Sequence, residues 1–224
     1  MSDVPPLLPC VEVEPRGTAN ASVIWLHGLG ADGHDFEPIV PELGLPRDAM
    51  VRFVFPHAPV IPVTINGGVP MRAWYDILEL SVERHVDLEQ LRASARAVSR
   101  LVDREIERGV ASERIVLAGF SQGGAVACEV ALSYERPLAG LLALSSYFAT
   151  ADTCVPAEAN VSLPILVCHG TQDPVVPEQL GYRSYQVFQA MRHPVEYRTY
   201  PMGHEVCLEE IRDVSQWLGD RLTG

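Results

Sequence analysis

Ser121 is held in Gly119-Phe120-Ser121-Gln122-Gly123, a G-x-S-x-G pattern between the apolar run Ile115-Val116-Leu117-Ala118 and the small-residue run Gly124-Ala125-Val126-Ala127. This reads as strand, sharp turn, helix: the flanking glycines let strand and helix approach closely and put the serine at the tip of a strained turn. Behind it, the N-terminus of the following helix offers unpaired N–H groups and a partial positive charge, which suits a site where an oxyanion develops. The same five residues also fit an ordinary glycine-flanked turn, so the chemistry depends on partners. A serine hydroxyl is a weak nucleophile at neutral pH and needs a base to take its proton; imidazole, with an ordinary pKa of about 6.5, suits that task. The imidazole in turn needs a carboxylate on its other ring nitrogen to fix the tautomer. Asp173, in His169-Gly170-Thr171-Gln172-Asp173-Pro174, and His204, in Met202-Gly203-His204-Glu205, supply these two groups.

A second backbone donor to the oxyanion is expected from Gly28-Leu29-Gly30-Ala31-Asp32-Gly33, so the N–H groups of Leu29 and Gln122 are the candidates for an oxyanion hole. That hexapeptide also satisfies G-x-G-x-x-G, the cradle of a dinucleotide pyrophosphate. The dinucleotide fingerprint requires an acid at the end of the next strand. Here that strand, Val51 to Phe55, ends in Pro56-His57, and Pro38 and Pro41 interrupt the helix that should follow. Among the other histidines, His27 and His169 each precede a glycine at a strand end and read as packing supports, while His34 and His57 are reserve candidates for the base. His204-Glu205 is not continued as H-E-x-x-H, because Leu208 stands where the second histidine would be, so no metal is expected.

These residues need a frame, and the chain supplies one. The runs 21–27, 51–55, 114–118, 138–146, 164–170 and 195–200 read as strands, the central ones apolar throughout as in a parallel sheet buried on both faces. Residues 8–14 are an edge-strand candidate. Between the strands, a helix capped by Asp87 carries Leu91, Ala95, Val98, Val102 and Ile106 on one face, with arginines and glutamates on a solvated outer face. Further helices are expected to about Tyr134, over 177–191 and over 205–221, whereas four prolines and Gly67-Gly68 make 56–76 irregular. Ser121, Asp173, His204 and the Gly28 loop all fall just beyond strand carboxyl ends, where open α/β sheets bind ligands.

Composition narrows the choice. The 224 residues carry 29 acidic and 17 basic side chains, a net charge of -12, which argues against nucleic acid and against anionic membrane surfaces. All the basic residues are arginine, so lysine Schiff-base and P-loop chemistry are excluded. Cys10, Cys128, Cys154, Cys168 and Cys207 lack C-x-x-C spacing and read as small core hydrophobes. With no leader pattern in Met1-Ser2-Asp3-Val4-Pro5-Pro6 and no long apolar stretch, the expectation is a soluble cytoplasmic protein.

Taken in order, Leu26-His27-Gly28-Leu29-Gly30-Ala31-Asp32-Gly33, Gly119-Phe120-Ser121-Gln122-Gly123-Gly124, His169-Gly170-Thr171-Gln172-Asp173-Pro174-Val175-Val176-Pro177 and Gly203-His204-Glu205 resemble the phospholipase/carboxylesterase family of α/β hydrolases. That family includes bacterial carboxylesterases and acyl-protein thioesterases, and the match spans nearly the whole chain. The resemblance implies a single α/β-hydrolase domain over residues 1–224, a mostly parallel sheet with helices on both faces. It implies Ser121, Asp173 and His204 as catalytic triad, in the chain order of that fold, with Leu29 and Gln122 at the oxyanion hole and neither cofactor nor metal. Arg72-Ala73-Trp74-Tyr75-Asp76-Ile77 resembles the family's Ser-Trp-Phe-Asp-type segment beside the acyl site, which implies a substrate-binding role for Trp74; Arg72 in place of the serine bears on substrate preference. The function expected is a carboxylesterase acting on small to medium acyl chains through an acyl-enzyme on Ser121. Acyl-protein thioesterase and lysophospholipase share the same constellation, and a non-catalytic receptor on the same fold is the alternative of another class. The expected partner is a small-molecule ester, with no nucleic acid and no integral membrane association; some family members are homodimers, and that state is left open.

Overall fold

The buried runs and amphipathic segments assemble, in the computed structural model, as alternating strands and helices; residues 6–46, 48–79 and 85–222 are described. The leader reading rests mainly on residues 1–5, which lie outside the described residues. In chain order the elements are β1 (Cys10–Val13), β2 (Ala21–Leu26), β3 (Val51–Pro56), β4 (Val60–Val63), β5 (Val69–Arg72), β6 (Ile77–Glu79), β7 (His85–Val86), α1 (Leu88–Glu107), β8 (Ile115–Phe120), α2 (Gln122–Ser133), β9 (Gly140–Leu144), β10 (Ile165–Gly170), α3 (Glu178–Ala190), β11 (Val195–Tyr200) and α4 (Leu208–Leu222). Seven strands form the main sheet in the order β1-β3-β2-β8-β9-β10-β11. Only β1 is antiparallel to its neighbour, pairing Cys10 with Pro56 at the edge. The central strands are parallel and in register, Val23 opposite Val116 and Leu117 opposite Leu141.

Because neighbouring side chains on a strand point to opposite faces, the apolar runs feed two cores. Ile24, Leu26, Leu117, Leu141 and Ile165 face α1, α2 and α3 through Leu91, Val98, Val126 and Phe188. Val23, Trp25, Val116, Leu142 and Leu166 face α4 and the short 3-10 segment Glu37–Leu43 through Val214, Trp217, Leu218 and Leu43. Each fully buried large apolar side chain contributes about 1.5–3 kcal/mol, which fixes the register of every central strand. Asp87 caps α1, its carboxylate accepting from Gln90 N at 3.0 Å. No described helix is long and apolar enough to cross a membrane.

The structure departs from the sequence expectation in three places. Within 56–76, Val60–Val63 and Val69–Arg72 pair as a two-stranded ribbon, β4 with β5, in which Pro62 faces Pro70; placed opposite each other, neither proline withholds an N–H that its partner strand needs. The outer face of α1 is not wholly solvated: Glu105 is fully buried and pairs with Arg52 Nη1 at 2.8 Å, Arg104 Nη2 at 3.1 Å and Arg108 Nη1 at 3.1 Å. The β1–β3 edge lies over that helix and brings Arg52, Glu12 and Glu14 to it. Helix α4 begins at Leu208, so Val206 belongs to the loop after His204 and not to the helical face.

Candidate active site

Strand β8 delivers the chain to Ser121, whose backbone has φ 54° and ψ −121°. A residue with a Cβ on this left-handed side costs about 1–3 kcal/mol, and the surroundings hold it there. Ser121 N donates to Leu144 O at 2.9 Å, and Ser146 Oγ donates to Ser121 O at 2.6 Å. The glycines are required by contact: a Cβ on Gly123 would sit 2.5 Å from the carbonyl oxygens of Leu26 and His27, and one on Gly119 would sit 2.5 Å from Gly123 C. Strand β2 and helix α2 therefore pass where only hydrogen fits.

Asp173 follows β10 and His204 follows β11, and the loops bring both to Ser121. His204 Nε2 lies 2.9 Å from Ser121 Oγ, and His204 Nδ1 lies 2.7 Å from Asp173 Oδ2. The other oxygen, Asp173 Oδ1, accepts from Val175 N and Val176 N, each at 2.8 Å. Burial works to raise the Asp173 pKa, but the bond from His204 and the N–H donors of Val176 and Val175 outweigh it and hold the carboxyl below its ordinary value. An ionised Asp173 accepts a proton-bearing Nδ1 and leaves Nε2 free to accept from the serine hydroxyl. The Phe120 ring, 4.7 Å from the imidazole, packs on its flank.

Of the other histidines, His34, His57 and His27 make contacts away from Ser121, and His169 lies behind Asp173, its Nε2 3.7 Å from Asp173 Oδ2. His169 Nε2 donates to Val176 O at 2.8 Å, and burial lowers its pKa. His34 pairs with Glu37 at 2.7 Å, and His57 Nδ1 accepts from Gly33 N at 3.0 Å. His27 Nδ1 donates to Gly28 O at 2.7 Å while its Nε2 accepts from Ala58 N at 3.1 Å. Burial brings His27 down to a pKa of about 4, so it is neutral and its tautomer is set by these two bonds. It braces the loop that carries Leu29.

Leu29 and Gln122 both line a cavity of about 320 Å³ together with Ser121 and His204; Ile65, Ile77, Tyr147 and Val175 form its apolar wall. Neither the Leu29 nor the Gln122 N–H donates to another backbone carbonyl among the described residues. Trp74, expected to touch substrate, does not line this cavity. It is 1% exposed, its indole N–H donates to His27 O at 2.9 Å, and its backbone N–H donates to Gln122 Oε1 at 2.8 Å. The ring is turned inward because the apolar side chain and its one donor are both satisfied beneath the loop. Arg72 is held in the same loop: its Nη1 donates to Ala58 O at 2.8 Å and its carbonyl accepts from Gly30 N at 2.8 Å.

Sequence reasoning missed the Gln122 side chain, which is buried and also donates through Nε2 to Tyr75 O at 2.6 Å. It missed Tyr147, whose hydroxyl lies 2.9 Å from that of Tyr75 at the cavity wall. The available signal was position: Tyr147 stands just past the strand run 138–146, as Asp173 stands past β10. In place of the helix that a dinucleotide site needs after the glycine loop there is the 3-10 segment Glu37–Leu43. Among the described residues no three His, Cys, Asp or Glu side chains group as a metal site.

A mostly parallel sheet that gathers such groups beyond the carboxyl ends of β2, β8, β10 and β11 is the architecture of the α/β hydrolases, and this chain is one of them. Residues 9–221 match the family described as phospholipase/carboxylesterase, and the chain belongs to that hydrolase family. It is 38% identical over 214 residues to an acyl-protein thioesterase 1 of Gibberella zeae, covering 90% of this chain and 91% of that one. An acyl-protein thioesterase 1 of Neurospora crassa is 38% identical over 229 residues, covering 97% and 92%. Among solved structures, acyl-protein thioesterase 2 of Zea mays superposes with a TM-score of 0.84 at 31% identity, covering 96% of this chain and 99% of that chain. A carboxylesterase of Bacillus cereus shares the fold with a TM-score of 0.79 at 17% identity, covering 98% and 97%.

Proposed function

We propose that this chain is a serine hydrolase that cleaves acyl thioesters, and carboxylic esters less well, through an acyl-enzyme on Ser121. The observation that carries the reading is the unbroken chain Ser121 Oγ, His204 Nε2, His204 Nδ1, Asp173 Oδ2 at 2.9 and 2.7 Å, opening on an apolar cavity. In the proposed reaction Ser121 Oγ attacks the acyl carbonyl as its proton passes to His204 Nε2, and the N–H groups of Leu29 and Gln122 bind the resulting oxyanion. Collapse breaks the carbon–sulfur bond, with His204 returning the proton to the leaving thiol. Water then attacks the acyl-enzyme, His204 accepting its proton and giving it back to Ser121 Oγ as the carboxylic acid leaves.

The preference for thioesters over the small esters expected from sequence is supported by the thioesterase relatives at 38% identity, against carboxylesterase likeness at 17%. Cytoplasmic location and a single domain over 1–224 belong to the same proposal. The test is a matched pair, an octanoyl thioester and the oxygen ester of the same alcohol skeleton. A higher kcat/KM for the thioester is expected, and a higher value for the oxygen ester would return the assignment to carboxylesterase.

A further inference from the structure

The two N–H groups proposed to hold the oxyanion stand on separate elements, Leu29 on the loop that leaves β2 and Gln122 at the first residue of α2. Such a pair stabilises developing charge only if its donors are held in place before the reaction begins. The close approach of Gly123 to Leu26 and His27 fixes the two elements at one point, and the loop from 27 to 30 runs on beyond it. A third segment ties that loop to α2.

Residues 72–75 bind the loop on either side of Leu29: the Trp74 indole N–H donates to His27 O at 2.9 Å, and Gly30 N donates to Arg72 O at 2.8 Å. The same segment grips the Gln122 side chain at both ends, Trp74 N donating to its Oε1 at 2.8 Å and its Nε2 donating to Tyr75 O at 2.6 Å. A carboxamide is the group that fits here, because it offers one acceptor and one donor to a backbone that presents one donor and one acceptor. At 2% exposed, the side chain has no solvent to replace either bond. From α1, Ser94 Oγ donates to Trp74 O and holds the segment from behind. Residues 72–75 are thus a strap from one half of the oxyanion hole to the other, fastened at α2 by a side chain whose own backbone N–H is one of the donors.

Resting on the serine-hydrolase reading above, we infer that the Gln122 side chain is a positioning residue for the oxyanion hole: through the strap 72–75 it holds the N–H of Leu29 in place relative to its own. Substitution at 122 leaves the backbone N–H present, so a change in rate runs through the strap.

The experiment uses Gln122→Met, which keeps the length of the side chain and loses both bonds. Turnover of an octanoyl thioester is measured beside inhibition by two ketones with the same octyl chain: a trifluoromethyl ketone, which adds to Ser121 and places an oxyanion in the hole, and a methyl ketone, which binds without adding. In Gln122→Met kcat is expected to fall by roughly tenfold to a hundredfold with KM within about threefold of wild type. Affinity for the trifluoromethyl ketone should fall in step with kcat, and affinity for the methyl ketone should not change. Trp74→Phe breaks the strap at its other end and must show the same split between the ketones, which decides the matter if Gln122→Met does not fold. The double variant should lose no more than about twofold beyond the worse single one, since a strap cut once is already slack. Wild-type kcat in a folded Gln122→Met, equal losses for the two ketones, or losses that multiply in the double variant overturn the positioning role and leave the hydrolase reading standing. A wild-type protein that neither turns over the thioester nor prefers the trifluoromethyl ketone overturns both.

Discussion

Replacing Trp74 by phenylalanine separates a brace from a substrate contact. The phenyl ring keeps most of the apolar body but loses the indole N–H that donates to His27 O at 2.9 Å. That carbonyl is buried, and stranding it costs about 1–3 kcal/mol. The smaller ring leaves a void that adds about 1 kcal/mol. Urea unfolding should therefore show a loss of about 2–4 kcal/mol with an unchanged m-value. His27 O is two residues from Leu29, so a freed carbonyl lets the loop proposed to bind the oxyanion relax. Losing an oxyanion donor outright costs about 3–4 kcal/mol in rate, and loosening one should lower kcat by about tenfold. Because Trp74 does not line the cavity at Ser121, KM for butanoyl, octanoyl and dodecanoyl esters should change little and with no trend in chain length. Unchanged stability and kcat, with KM rising as the acyl chain lengthens, would refute the brace and put Trp74 on the substrate.

Two further substitutions test the frame. Glu210, in the first turn of α4, is 1% exposed with no cationic partner among the described residues, and burial raises its carboxyl from the usual 4.5 to about 8. The unfolded chain then ionises near 4.5 and the folded one near 8, so stability is lost as pH rises between those values, by up to about 5 kcal/mol. Glu210→Gln should raise Tm at pH 8.5 and leave it unchanged at pH 4.5; an equal shift at both would show that the effect is not ionisation. Gly123→Ala forces a Cβ to within 2.5 Å of the backbone carbonyl oxygens of Leu26, at the end of β2, and His27, just past it, which cannot yield as a side chain could. A loss of about 3 kcal/mol, at the upper end of the usual range for overpacking, is expected in urea unfolding, with activity abolished; a loss under about 1 kcal/mol would mean that strand and helix are not in close contact there.

Much of this architecture is legible locally. The runs at β2, β8 and β10 are apolar over their whole length because they are buried on both faces, and that alone marks them as central parallel strands. Ser121 and Asp173 could be placed at one edge of the sheet because they stand one and three residues past such runs, and His204 because it stands four residues past the mixed, partly exposed strand β11. What was not legible depends on partners distant in sequence. Trp74 in an isolated segment looks like a surface for substrate; it turns inward because His27 O and Gln122 Oε1, 47 and 48 residues away, satisfy its two donors. Glu105 reads as one more charge on a solvated helix face until the β1–β3 edge lays Arg52 against it. The ribbon at 60–72 was hidden by its own prolines, since a rule that removes them from sheets does not foresee two of them placed opposite each other.

The most direct test of the central claim is the mass of the intact protein during turnover. Mixing with an excess of octanoyl thioester and quenching in acid within one turnover should give a species heavier by one octanoyl group, and peptide fragmentation should place that group on Ser121. The same experiment with Ser121→Ala, folded as judged by urea unfolding, should give no adduct and no thiol release. Thiol release by the alanine variant at the wild-type rate, or an acyl group carried on another residue, would contradict the account.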